Sequence, residues 1–160
     1  MTIRKSAFIV AISAGLSACG TMVNAPQSDL QYQAVHEVQL SKSEIFNQTQ
    51  EWFATAFADS KEVIEVANPD TGVIIGKGQT RISPTGLVSV PVRMTIKVEA
   101  KPNRYRTTYS NYTGYYGKYQ NNPHPLADAA SVGQVRDQIK ILDARLLDYL
   151  QRDDPESDDW

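Results

Sequence analysis

Few residues in this chain are of types that do chemistry near neutral pH. There is one cysteine, Cys19, and there are two histidines, His36 and His124. No second histidine falls at a ligand spacing such as HxxxH, so the pattern predicts no metal site. His36 reads as a strand residue at a sheet margin, and His124 as a loop residue between Pro123 and Pro125. No serine sits in a nucleophile elbow. Gly76-Lys77-Gly78 has the glycines of a phosphate loop without its spacing or its following helix, and reads as a packing feature. Asp and Glu concentrate on helix faces and in the C-terminal tail, where a solvated role is the default. The expectation is a protein that is not an enzyme and holds no cofactor or metal. The alternative is a hydrolase whose two carboxylates meet only in the fold.

Cys19 does have a setting that implies chemistry. Arg4 and Lys5 form a positive n-region, Ala7 to Gly15 is a short apolar run, and Leu16-Ser17-Ala18-Cys19-Gly20 follows. The apolar run fits the ~7–15 residues of a signal-peptide core and falls well short of the ~20 that span a bilayer. The pentapeptide resembles the bacterial lipobox. That resemblance implies a signal peptide over 1–18, with Cys19 lipidated and becoming the first residue of the mature chain. Gly20 behind Cys19, rather than an aspartate, implies by Gram-negative sorting rules the outer membrane, facing the periplasm. Two or three acyl chains, at ~0.8 kcal/mol per buried methylene, make a stable anchor.

The second unusual feature is a run from Tyr105 to Tyr119 that holds six of the eight tyrosines. Tyrosine gives large amphipathic contact at low entropy cost, and the interleaved Gly and Asn adapt to a partner. Tyr112, Tyr115, Tyr116 and Tyr119 are therefore the candidate partner-binding residues, with a protein or glycan as partner. The competing reading has Tyr105 and Tyr109 in the sheet and the rest filling a loop packed on the domain.

Composition narrows the choice of partner. The 160 residues carry a formal charge of −2, and loss of Arg4 and Lys5 with the signal segment makes it more negative. An acidic chain is a poor match for nucleic acid, whose binding rests on Lys and Arg neutralising phosphates. Residues 19–30 read as the lipidated N-terminus and a flexible tether, 31–152 as one domain, and 153–160 (DDPESDDW) as an acidic disordered tail.

The elements that must position these residues follow from hydrophobic period. Tyr32 to Leu40 alternates as a strand. Ser41-Lys42-Ser43-Glu44 is a capping box with Leu40 and Ile45 as its hydrophobic staple. The stripe from Ile45 through Phe57 predicts an amphipathic helix ending near Asp59. Val63–Ala67 and Val73 onward predict a hairpin around Asn68-Pro69-Asp70-Thr71-Gly72. Val88 to Ala100 alternates strictly, as a half-buried antiparallel strand does, and Pro91 predicts a bulge or unpaired stretch there. Arg104 to Tyr112 is the last strand. The final helix is predicted to open near Ser131, with Gln134 completing a second capping box. The order β-α-β-β-β-β-α predicts an α+β fold, an antiparallel sheet with both helices on one face.

Particular residues add to that order. Glu44-Ile45-Phe46, Glu51-Trp52-Phe53-Ala54, Phe57, Ser60-Lys61-Glu62-Val63-Ile64 and Thr71-Gly72-Val73-Ile74-Ile75-Gly76-Lys77-Gly78 resemble a family of bacterial proteins with a TBP-like fold, the domain of unknown function 4468. The resemblance covers roughly Val35 to Tyr112. It implies the fold and frequent lipoprotein or exported status, and it implies no catalytic residue. The leading expectation is a lipid-anchored, non-enzymatic envelope module that binds through the Tyr-rich loop or the open sheet face. A structural subunit of an envelope assembly is the alternative.

Overall fold

A computed structural model of the chain describes residues 23–57 and 63–152. The signal segment, Cys19, Asp59, Ser60-Lys61-Glu62 and the acidic tail lie outside the described residues. A short 3-10 turn, Gln27–Leu30, leads into β1 (Tyr32–Glu37) and α1 (Lys42–Ala56). Then come β2 (Ile64–Asn68), β3 (Val73–Ile82), β4 (Val90–Lys101), β5 (Arg104–Tyr116), β6 (Asn122–Pro125) and α2 (Ala129–Gln151).

Both helices start where side chains satisfy their free backbone amides. Ser41 Oγ accepts from the Glu44 amide at 3.2 Å, and the Ser41 amide donates to Glu44 Oε2 at 2.7 Å. Hydrogen bonding from Ser41 to the Glu44 carboxylate, from the side chain first and the backbone amide second, holds that carboxyl below its usual range. Ile45 is fully buried and Leu40 packs on the core, as the staple requires. The second helix corrects the sequence reading. Asp128 is its N-cap and accepts from the Ser131 amide at 2.8 Å, so the helix opens at Ala129. Asp caps as well as Ser does. Gln134 is thereby freed to clasp the end of β3, bonding both the amide and the carbonyl of Ser83.

The sheet is antiparallel throughout, in the order β1-β5-β4-β3-β2, with β6 added to β5. Along β4, Val92, Met94, Ile96, Val98 and Ala100 are buried while the residues between them are not. The buried positions meet Ile45, Phe53, Val135, Ile139 and Leu146 of the two helices in one core. Each such aliphatic or aromatic side chain contributes about 1.5–3 kcal/mol relative to exposure. Trp52 packs edge-on against Phe53 and Phe57, at centroid distances of 5.4 and 5.6 Å.

The helix lies close enough to β3 that two strand positions have no room for a side chain. A Cβ on Gly76 would collide with the Val63 carbonyl oxygen and come within 2.8 Å of the Phe53 ring. A Cβ on Gly78 would sit 2.5 Å from Ile96 Cδ1 and 3.1 Å from the Phe57 ring.

Two features of the sheet depart from expectation. β5 runs on to Tyr116 and returns as β6, a strand that the polar Asn-Asn-Pro-His-Pro segment did not announce. The β4–β5 register also slips between Arg93 and Thr95, where Asn111 and Tyr112 together face Met94. Asn111 takes the left-handed conformation there, with φ 57°, as the first residue of a G1-type bulge does. The bulge thus lies in β5 and not at Pro91, which pairs with Arg81 one residue outside the stretch of β4 joined to β5.

Candidate functional site

The bulge decides where the tyrosines go. Before it, Tyr105, Thr107 and Tyr109 point into the core, and after it the parity changes so that Tyr112 and Gly114 do. Tyr112 is buried, its hydroxyl donating to the Tyr109 carbonyl at 3.2 Å. It belongs to the core and offers no contact surface, which corrects its place among the partner-binding candidates. Burial pushes its hydroxyl up to about 12. Tyr116 lies half-buried over Gly114, close to Leu126, with its ring 5.9 Å from that of His124. Tyr115 points the other way, where Arg93 stacks 4.7 Å from its ring centroid. Tyr119 stands exposed on the β5–β6 turn with the Lys118 ammonium 5.5 Å from its ring. The structure therefore divides the four: Tyr112 is buried, Tyr115 and Tyr116 are half-buried on opposite sides of the sheet, and Tyr119 is exposed. What looked like a tyrosine loop is mostly strand.

Tyr115 belongs to a larger surface. No described element covers the side of the sheet opposite the helices. Lys77 and Arg81 of β3, Arg93, Lys97 and Lys101 of β4, and Arg104 and Arg106 of β5 occupy its outward positions. Glu99 answers two of these cations, with Lys97 Nζ at 3.0 Å and Arg106 Nη2 at 2.7 Å. Partial burial raises its pKa, but the hydrogen bonds from Lys97 and Arg106 outweigh this and hold it low. Lys77 donates to Thr95 Oγ1 at 2.9 Å and pairs with Glu65 at 3.5 Å. Asn111 reaches the same Thr95 oxygen at 3.2 Å. Among the described residues, no ion pair engages Arg81, Arg93, Lys101 or Arg104.

This surface has a sequence signal that net charge conceals. Between Asp70 and Asp128 the only acid is Glu99, against eight Lys and Arg: 77, 81, 93, 97, 101, 104, 106 and 118. The acids lie in the other segments, so an acidic chain carries a cationic sheet. Such a face attracts anionic groups over a Debye length of about 8–10 Å.

A second polar cluster lies on the helix side. Asp143 of α2 is 3% exposed, and its Oδ1 accepts from the Thr107 hydroxyl at 2.6 Å and the Tyr109 hydroxyl at 3.2 Å. Its Oδ2 lies 2.6 Å from His36 Nε2. Burial first, and the nearby Asp143 second, push the Tyr105 and Tyr109 hydroxyls up. The Tyr105 hydroxyl is buried without a hydrogen-bond partner. His36, Asp143 and Thr107 form a hub that ties β1, β5 and α2 together. Among the described residues no three of His, Cys, Asp and Glu converge as a metal set.

Residues 32–114 match the family model described as a domain of unknown function (DUF4468) with TBP-like fold. The chain belongs to the DUF4468 family. The fold has crystallographic counterparts. A TBP-like protein from Parabacteroides distasonis superposes with a TM-score of 0.63 at 14% identity, over 75% of this chain and 91% of that one. A DUF4468 family protein from Bacteroides ovatus gives a TM-score of 0.63 at 14% identity, over 79% of this chain and 88% of that one. At such identity the likeness speaks for the fold alone. No curated protein matches the DUF4468 chain. The family match ends at Gly114, so Tyr115, Tyr119, β6 and α2 fall outside it.

Proposed function

We propose that this DUF4468 chain is a non-catalytic binding module attached to a bacterial envelope by lipid on Cys19, at the outer membrane facing the periplasm. Its uncovered sheet face receives an acidic protein or glycan partner. The observation that carries this reading is the segregation of charge onto a face that no described element covers. Arg81, Arg93, Lys101 and Arg104 are left there without ion-pair partners among the described residues, and Arg93 stiffens Tyr115 beside them. Tyr and Arg are the residues that most often anchor interfaces. The order of basic, apolar and Leu-Ser-Ala-Cys segments supports the address. The His36–Asp143 pair has the look of a dyad, but both residues are taken up in joining β1 to α2.

Two measurements test the reading. Mass spectrometry of the membrane fraction, set against a Cys19→Ala variant, is expected to find the wild-type chain cut before Cys19 and acylated there. An intact or unacylated wild-type chain ends the address. Partner recovery from native envelope is expected to fall sharply for Arg93→Glu with Tyr115→Ala, at unchanged circular dichroism. Unchanged recovery sinks the sheet face as the binding surface.

A further inference from the structure

The strand register places several loops at one end of the sheet. Ile82 pairs with Val90, and Val92 with Gly114, so the Ser83–Ser89 loop and the Gly117–Asn121 turn lie at the same end. The N-terminus of α2 is there too, since Gln134 bonds Ser83. So is the start of the described chain. Asn24 bridges Asp128, the Ala25 amide donates to the Ala127 carbonyl at 2.6 Å, and the Ala129 amide donates to the Val23 carbonyl at 2.9 Å. The segment expected as a flexible tether up to residue 30 is therefore docked from Val23 onward.

Val23 stands four residues after Cys19. Four residues of extended chain reach at most about 14 Å, so a lipid on Cys19 would hold this end of the domain against its bilayer. The same end bears Leu87, 91% exposed, Val88, 62%, Tyr119, 76%, and Val23, 67%. These are four of the seven large apolar side chains that are exposed among the described residues. Gly86, at φ 73°, closes the turn that presents Leu87 and Val88, and nothing lies within 4 Å of where its Cβ would be. Lys118 beside Tyr119 is the only charged side chain in either loop. Apolar tips with Tyr and Lys and no acid match the membrane–water interface, where amphipathic rings and cationic groups sit at headgroup level.

We propose that Leu87, Val88 and Tyr119 dip into the bilayer that holds Cys19, giving the domain a second membrane contact and a fixed orientation. This rests on the lipid-anchored reading. Acylation occupies the thiol of Cys19, the only cysteine, so a single introduced cysteine can be labelled alone. The full chain, made in a bacterium that processes lipoproteins, is reconstituted into phosphatidylethanolamine–phosphatidylglycerol vesicles carrying nitroxide lipid. A nitrobenzoxadiazole label is placed on Leu87→Cys, Tyr119→Cys, Val66→Cys or Ile141→Cys in turn, with acylation of Cys19 checked by mass. The labels at 87 and 119 are expected to shift to the blue and lose most of their emission to the quencher. Those at Val66 and Ile141, also exposed but on β2 and mid-α2, are expected to keep theirs. An acylated chain with equal quenching at all four positions overturns the contact alone. A chain with unacylated Cys19 removes the anchor and the contact together.

Discussion

His36 Nε2 and Asp143 Oδ2 lie 2.6 Å apart, joining the outer strand β1 to the middle of α2 across 107 positions of sequence. Asp143 is the hub of this contact, because the Thr107 and Tyr109 hydroxyls also donate to it. Asp143→Ala leaves the buried Thr107 and Tyr109 hydroxyls and the half-buried His36 without their partner and is expected to cost about 1–3 kcal/mol for each unsatisfied buried hydroxyl. His36→Ala is expected to cost clearly less, since Asp143 keeps both hydroxyls. Urea unfolding of the two variants decides it, and equal losses would refute the hub.

Three core tyrosines give the fold an alkaline limit. Burial raises the pKa of Tyr105, Tyr109 and Tyr112 above the ordinary value of 10.0, Tyr112 to about 12. An unfolded tyrosine releases its proton near pH 10 while the folded one keeps it. The unfolded state then binds fewer protons, so stability is complete below pH 10 and falls above it. Each tyrosine is expected to remove roughly 1 kcal/mol per pH unit between about pH 10 and 12. Tyrosinate absorbance and far-UV circular dichroism should therefore change together. Tyrosinate forming in full while the dichroism stays native would contradict it.

Gly76 and Gly78 should respond differently to the same added methyl group. At Gly76 the obstacle includes the Val63 carbonyl, which is backbone, and at Gly78 it is the end of the Ile96 side chain. Gly76→Ala is expected to cost about 1–3 kcal/mol, as overpacking does, and Gly78→Ala less. The order of thermal midpoints checks this; the reverse order would place the tighter approach at Phe57.

Most of the frame was legible because it is written in period and punctuation. The Ser41–Glu44 box, the stripe from Ile45 to Phe57 and the alternation up to Ala100 each name an element from local residues alone, although the strand begins at Val90 and leaves Val88 in the loop before it. The Gly76–Gly78 pair was legible as a packing feature for the same reason. What escaped depends on partners far away. β6 has no apolar alternation of its own and forms because β5 offers Thr113 to Tyr116 as a template. The parity change at Asn111 hid Tyr112 in the core, although the spacing of Tyr105, Tyr109 and Tyr112 already breaks period two. Nothing local marks Asp143 as a buried hub, because its partners come from β1 and β5. The cationic sheet was visible as a long acid-poor stretch, masked by averaging charge over the whole chain.

Asn111 offers a direct check of that parity change. Its left-handed conformation suits Gly and Asn and costs other residues roughly 1–2 kcal/mol. Asn111→Gly is expected to be tolerated within about 1 kcal/mol, losing only the bond to Thr95. Asn111→Val is expected to destabilise more and to expose Tyr112, seen as a rise in tyrosine accessibility to acrylamide. A stable Asn111→Val variant with Tyr112 still buried would show that the bulge does not need this residue.

β1 and β6 lie end to end along the same side of β5, with the bulge between them. That side is therefore broken into six-residue and four-residue pieces, and Pro123 and Pro125 remove amide donors from the shorter one. A foreign strand finds no continuous ladder there to extend, which is how natural sheets resist edge-to-edge aggregation. Crowded copies of this domain thus meet only short, interrupted pieces along that side, which disfavours their continuing one another's sheets there.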